Sequence, residues 1–456
     1  MDAVKNKKIL ILGAGKSGVS AARLAVFYGA SGVVLSDEKP LGRWDDSALA
    51  LEKEGVVFEA DGHKDESFLN ADIIVISPGI AVKPAWADMA QRHNKELIGE
   101  IEFAFRAVPV PGPKIIAITG TNGKTTASAL MFEILKAHAG GRAAVAGNIG
   151  IPFCDIAAKA GQYDYIVLET SSFQLETIKR FRPHIAVILN ITEDHLDRYA
   201  SMQAYAEAKA RIFENQTDGD FLLLNAGDRF TSIMASMSGS SKVFFSAYKP
   251  LNDGYYFEGD EFIKNVFGKR QPLFSARGIK LIGRHNYENI LPCLIISDIL
   301  GFDMKKTAEA AASFKGLPHR IEFVAEAGGK LYYNDSKGTT VDSVLKAVNS
   351  FSENTALILG GREKNTYFEA LKNLLPGSVK LIIAIGESRD KVESIFADKT
   401  EVAKADSMAA AVQVASQRED IRVVLLSPAC ASFDMFKNYE QRGNEFKKQV
   451  MRVAGQ

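Results

Sequence analysis

Ten short apolar runs, mostly β-branched, punctuate the chain: KILIL, VVLS, DIIVIS, KIIAIT, YIVLE, IAVILN, FLLLN, ALILG, LIIAIG and RVVLLS. Most end in glycine, serine or asparagine, and helix-like segments such as SGVSAARLAVFYGA and TTASALMFEILKAHA fall between many of them. A run that is apolar at every position offers no face to water, so it reads as a strand buried on both sides. Strands separated by helices pair in parallel beneath those helices. The fold class is therefore α/β. Between residues 240 and 280 the pattern changes: YYFEGDEFIKN reads as antiparallel hairpins and predicts a small β extension.

A chain of 456 residues holds about three domains at roughly 150 residues each. Two proline- and glycine-bearing stretches divide it, AVPVPGPK at 107–114 and SFKGLPHR at 313–320. The expected domains are 1–110, 111–316 and 317–456. The formal net charge is +0, which gives no global field for nucleic acid or a membrane surface, so any anion must be held by local features. Three cysteines, Cys154, Cys293 and Cys430, lie far apart without a CxxC, as in a reducing cytosol. The apolar run near the N-terminus is too short for a signal peptide. The stretch ILPCLIISDIL carries a proline and an aspartate and is too short to span a bilayer. A soluble cytoplasmic protein is expected, with no nucleic-acid binding, no membrane insertion and no obligate protein partner evident.

Two glycine-rich turns carry the chemistry. The first, ILILGAGKSG at 9–18, places Gly13, Gly15 and Gly18 between a strand and a helix, and Asp37 ends the next strand. Gly15 lets backbone approach a pyrophosphate at the helix N-terminus. Three readings stay open on these residues: a dinucleotide such as NAD, a nucleotide sugar with the same diphosphate, or glycines that serve packing alone. The second turn, IAITGTNGKTTASAL at 116–130, departs from the P-loop spacing at Ile118 but keeps Gly120, Gly123, Lys124 and Thr125. Its N–H groups suit phosphate, Lys124 suits β/γ oxygens, and the Thr125 hydroxyl suits Mg2+. Downstream strand ends offer metal ligands: Glu169 in YIVLETSSFQ, then Asp194, His195 and Asp197 in ILNITEDHLDRY. Lys209 in AYAEAKARIF reads on its own as a solvent-facing lysine, and Asn286 in HNYEN as a helix N-cap.

TGTNGKTT, ETSSFQLE, NITEDHLDRY, the lysine of AEAKARIF, GRHNYEN, GLPHRIE, NDSKGTT and SPACASFDMFKNYEQRGNEF follow one another in this chain. In that order they resemble the Mur ligases. The last motif, AGNIG and the short first domain are similar to the branch that adds D-glutamate. The resemblance implies a Rossmann-like N-terminal domain for UDP-N-acetylmuramoyl-L-alanine and a central P-loop ATPase-type domain. It implies a C-terminal Rossmann-like domain for D-glutamate that also completes the ATP site. The implied reaction, in cytoplasmic peptidoglycan precursor synthesis, activates the alanyl carboxylate as an acyl phosphate that the amine of D-glutamate then attacks.

The resemblance also nominates residues. Gly15, Lys16, Ser17, Asp37, Lys39, Gly79, Asn148 and His195 would meet the UDP substrate. Gly120, Thr121, Asn122, Gly123, Lys124, Thr125 and Thr126 would wrap ATP phosphates, with Asn286 and Asn289 at adenine, Arg320 at phosphate and Asp335 at ribose. Thr125, Glu169, His195 and a carbamylated Lys209 would serve two Mg2+ ions, making Lys124, His195 and Lys209 the catalytic set. Lys337, Thr339, Lys364, Ser432, Phe433 and Tyr439 would hold D-glutamate. Rival readings are another Mur-type or folylpolyglutamate-type ligase, an NAD-binding dehydrogenase, and a non-catalytic nucleotide-binding regulator. The SPACAS…RGNEF motif argues against the first of these.

Overall fold

The apolar runs become the central strands of three sheets in a computed structural model, which describes residues 4–148, 150–196, 198–281, 283–363 and 366–455. The first sheet is parallel and holds β1 (Lys8–Leu12), β2 (Gly32–Ser36), β3 (Val57–Glu59), β4 (Ile73–Ile76) and β5 (Glu96–Gly99), in the order β3-β2-β1-β4-β5. The order in which successive strands are added reverses between β1 and β4. Their carboxyl ends therefore open a crevice at the place where such sheets bind ligands.

The second sheet holds β6 (Lys114–Thr119), β7 (Ala143–Gly147), β8 (Tyr165–Glu169), β9 (Ile185–Ile188), β10 (Phe221–Asn225), β11 (Ser241–Ser246), β12 (Gly254–Glu258), β13 (Glu261–Val266) and β14 (Lys269–Ser275). Their order is β14-β13-β12-β11-β10-β9-β6-β8-β7. It is parallel from β7 across to β12 and antiparallel through β13 and β14, which is the expected extension. All four residues of β9 and five of the six in β6 are buried, the two-faced burial that their lack of alternation dictates.

The third sheet, β15 (Glu322–Ala327), β16 (Lys330–Asn334), β17 (Thr355–Gly360), β18 (Val379–Ile385), β19 (Glu401–Lys404) and β20 (Val423–Leu426), has the order β15-β16-β20-β17-β18-β19. Only β15 runs antiparallel to its neighbour.

The three sheets match the expected three-domain α/β reading, but they group into two compact units. One comprises the chain up to Arg277 together with Glu288–Ala311; the other comprises Gly278–Tyr287 and the chain from Ala312 onward. The first two sheets share a single core because the helix Glu100–Ala107 carries Ile101, Phe103 and Ala104 into the cluster that holds Phe153, Cys154 and Phe181. Polar groups reinforce the join. The Glu102 carboxylate accepts from the consecutive backbone N–H groups of Lys179, Arg180 and Phe181, and pairs with Arg106 at 2.8 Å. Among the described residues no helix is long and apolar enough to cross a membrane.

Candidate functional site

At the first crevice, Gly13 (φ +99°) follows β1, and the helix Lys16–Phe27 starts three residues later. A Cβ on Gly18 would overlap the carbonyl oxygen of Gly13, whereas one on Gly15 would meet nothing within 4 Å. Gly18 thus permits close packing of helix on turn, and Gly15 keeps the mouth open. Asp37, after β2, accepts from Ala14 N–H at 2.8 Å and from Lys39 N–H at 2.9 Å. Its carboxylate shapes the turn as well as facing the cleft. The cleft encloses about 770 Å³ and brings together Gly15, Lys16, Ser17, Asp37, Lys39, Gly79 and Asn148 of the nominated set.

The cleft wall also includes His63, which sequence reasoning missed. The Ser36 hydroxyl links Glu59 at 2.8 Å to His63 Nδ1 at 2.7 Å. Burial lowers the imidazole pKa, which favours the neutral ring. No motif flagged it, because its role comes from a sheet neighbour rather than from local spacing.

The second turn joins β6 to the 16-residue helix Lys124–Ala139, whose N-cap, Gly123 (φ +85°), supplies no capping side chain. The leading N–H groups are therefore available to an anion. A Cβ at Gly123 would drive into the Asn289 side chain, and Asn289 itself is 4% exposed. Asn190, beyond β9, fastens the loop. Its Oδ1 accepts from Asn122 N–H at 2.8 Å, its Nδ2 donates to Asn122 O at 3.1 Å, and its carbonyl accepts from Thr121 N–H at 2.8 Å. Lys124 Nζ lies across the turn, donating to the carbonyls of Gly120 at 2.9 Å and Thr121 at 2.8 Å. Thr126 is buried within the first helical turn, where Thr125 is half-buried.

Lys209 departs from its unaided reading. It is 1% exposed, donates to the Gly120 carbonyl at 3.0 Å and lies over the Tyr205 ring at 4.4 Å. Burial, with Lys124 adding to it and Asp194 opposing, takes its pKa well below the ordinary lysine value. Two lysine amines thus share the Gly120 carbonyl. Glu169, 2% exposed at the end of β8, accepts from Asn148 Nδ2 at 2.8 Å through Oε1, while its buried Oε2 has no hydrogen-bond partner among the described residues. A buried carboxylate oxygen left unpaired is costly, and a divalent cation would satisfy it.

His195 (φ +55°) is exposed. Its ring lies 4.7 Å from that of Phe173 and 6.0 Å from that of Tyr205, and its Nε2 is 3.6 Å from Asp194. Asp197 lies outside the described residues. Among the described residues no three His, Cys, Asp or Glu side chains form a ready-made metal cage. Mg2+ held through Thr125 and Glu169 would therefore take its other oxygens from phosphate and water, as this ion usually does.

Asn286 falls inside the helix Arg284–Ile299 rather than before it, so it is not the N-cap, although it is buried. In the second unit, Asp335 follows β16 and is 6% exposed. It accepts from the Ser427 hydroxyl at 2.6 Å and Ile321 N–H at 3.3 Å, and burial pushes it up to about 7. Arg320, half-buried, helps to hold the charged form. Lys337 Nζ sits 5.2 Å from the Tyr439 ring centre. Ser432 is buried, whereas Thr339 and Phe433 are exposed. Lys364 lies outside the described residues. Sequence reasoning missed Ser427 and Arg442, although RGNEF contains the latter.

These features describe an α/β protein with two separate glycine-rich strand–turn–helix units, one of them P-loop-like. Two family models match the chain: "Mur ligase MurD-like, N-terminal domain" over residues 7–99 and "Mur ligase middle domain" over residues 118–297. The chain is 42% identical over 453 residues, 99% of each chain, to the UDP-N-acetylmuramoylalanine–D-glutamate ligase of Geotalea daltonii. It is 40% identical, again over 99% of each chain, to the enzyme of the same name from Koribacter versatilis. Among solved structures it matches the MurF ligase of Thermotoga maritima in complex with ADP (TM-score 0.58, 17% identity, 100% of each chain). It also matches a pseudomurein peptide ligase type C from Methanothermus fervidus (TM-score 0.59, 19% identity, covering 98% of this chain and 100% of that one). The protein belongs to the Mur ligase family.

Proposed function

We propose that this protein is an ATP-dependent ligase that joins D-glutamate to UDP-N-acetylmuramoyl-L-alanine, in cytoplasmic peptidoglycan precursor synthesis. The observation that carries this reading is whole-length identity of about 40% to relatives named for that reaction, in a chain whose two cradles suit two different nucleotides. Gly15, Lys16, Ser17, Asp37, Lys39 and Gly79 take the UDP portion in the first cleft, and Asn148 meets the substrate beside Glu169. The loop from Gly120 to Thr126 takes the triphosphate, with Asn289 and Asn286 toward adenine; Arg320 serves phosphate and Asp335 ribose. Lys337, Thr339, Lys364, Ser432, Phe433 and Tyr439 receive D-glutamate.

In the first step an oxygen of the alanyl carboxylate attacks the γ-phosphorus and the bond to the β-bridging oxygen breaks, releasing ADP. In the second the amine attacks the acyl carbon and the carbon–oxygen bond breaks, releasing phosphate; the amine gives up its proton. Both steps bring anions together, so the work of the protein is alignment and charge neutralisation. Lys124 places positive charge at the γ-phosphate. Mg2+ would supply further positive charge, held through Thr125 and Glu169, with His195 nearby on the substrate side.

Lys209 is the proposed carbamate. Its buried amine loses its proton readily, attacks CO2 through nitrogen and releases one proton, leaving an anion beside Lys124 where two ammonium groups would repel. Feeding 13C-bicarbonate should give a carbamate carbon resonance that Lys209→Met lacks; its absence from the wild-type protein would remove this assignment. The function itself is tested by ADP release that requires both UDP-N-acetylmuramoyl-L-alanine and D-glutamate. Release without either substrate, or NADH fluorescence that changes on mixing, would overturn it.

A further inference from the structure

Arg442, in the helix Tyr439–Val453, is 1% exposed. Its Nε donates to Ser336 Oγ at 3.0 Å, its Nη2 to Ser336 O at 2.8 Å and its Nη1 to Cys430 O at 3.0 Å. All three acceptors are neutral, and no carboxylate forms an ion pair with it among the described residues. A charge held this deep without a counter-ion is costly. Burial accordingly lowers the guanidinium pKa to about 10, and Asp434, Cys430 and Asp335 only partly oppose that. Asp434 is turned elsewhere, accepting from Glu387 N–H at 2.9 Å.

The two segments that Arg442 joins are those that bear the acceptor-site candidates. Ser336 precedes Lys337 and Thr339, and its hydroxyl donates to the Tyr439 carbonyl at 2.8 Å. Cys430 lies two residues before Ser432. A Cβ on Gly361 would come within 3.3 Å of Arg442 Nη1, so the turn after β17 also closes on the guanidinium.

We propose that Arg442 is a positioning residue of the amino-acid acceptor site. It clamps the 336 and 430 turns in register and holds a positive charge that favours a dicarboxylate acceptor. Arginine suits the task because its planar fork spreads its donors over three nitrogens, whereas lysine gathers its three on one. The inference rests on the reading of Lys337, Thr339, Ser432 and Phe433 as D-glutamate contacts.

The test is steady-state ADP release by Arg442→Lys, Arg442→Met and Ser336→Ala in the full chain, varying each substrate in turn. Arg442→Met should raise KM for D-glutamate by about tenfold or more, with KM for ATP and for UDP-N-acetylmuramoyl-L-alanine within about twofold. Arg442→Lys, which keeps the charge but loses the fork, should fall between. Ser336→Ala, which removes one acceptor and leaves the backbone carbonyl, should give a smaller rise in the same constant. If Arg442→Met does not fold, as judged by its thermal melt, the other two variants carry the test. A D-glutamate KM unchanged in a folded Arg442 variant, or all three KM values rising together, overturns the proposal. Wild-type protein that shows no D-glutamate-dependent release would instead overturn the function from which the proposal starts.

Discussion

A single buried amine separates what residue type says from what position says. Lys209 in AYAEAKARIF reads as a surface lysine, because nothing in nine residues of helix reports that its face is covered. The lysine is 1% exposed, and the carbonyl it shares belongs to Gly120, 89 positions earlier in the chain. Lys209→Met keeps the apolar stem and removes the reactive nitrogen, so turnover should fall by about 10²-fold or more with little loss in melting temperature. Turnover within a few-fold of wild type would deny the lysine a catalytic part. Glu100 makes a second prediction at this scale. It is 2% exposed, accepts from Cys154 N–H at 2.7 Å and leaves Oε2 unpaired among the described residues, and burial pushes its pKa up to about 7 from 4.5. A carboxyl raised on folding stabilises below its unfolded value and loses that contribution as pH rises through the folded value. Glu100→Gln does not titrate, so its melting temperature should gain on wild type by a few degrees between pH 5 and pH 8. A difference between the two melts that stays flat across that range would show that Glu100 ionises as freely in the folded protein as in the unfolded one. The glycines, Lys124, Thr125 and Glu169 were legible because turn and strand-end chemistry is local. His63, Asn190, Ser427 and Arg442 were not, since each is defined by partners from remote segments.

At the level of elements, each cradle depends on a glycine that cannot accept a side chain. Gly123→Ala would strain a left-handed residue and push against Asn289, so ATP affinity should drop by about tenfold or more. Calorimetry with ATP reads this directly, and an affinity within twofold would show that the loop relaxes around the methyl group. The strands themselves were readable from apolar runs bounded by turn residues, and the antiparallel β12–β14 ladder from the change of pattern after residue 240. The grouping of domains was not. AVPVPGPK marks a real change of sheet, but the helix just before it buries Ile101 and Phe103 in a core shared with the second sheet. That packing joins residues about fifty positions apart and leaves no periodic trace on either side of the linker.

For the molecule as a whole, the consequence of two cradles is that two nucleotide affinities can be lost separately. Lys124 and Gly123 belong to the turn after β6, and Gly13 and Gly18 to the turn after β1, so the two turns sit on different sheets. Lys124→Ala removes the cation that lies across the second turn and leaves the 770 Å³ cleft of the first untouched. It should weaken ATP binding by about tenfold or more while UDP-N-acetylmuramoyl-L-alanine binds within about twofold of wild type. Gly18→Ala, whose Cβ would overlap the Gly13 carbonyl, should produce the opposite pair of results. Catalysis needs both ligands at once, so either variant alone should abolish most turnover, and activity cannot distinguish separate sites from a common one. Titration calorimetry of each variant with each ligand can do so. If both variants lost both affinities equally, the turns would act as one site, and the division of labour between them would have to be abandoned.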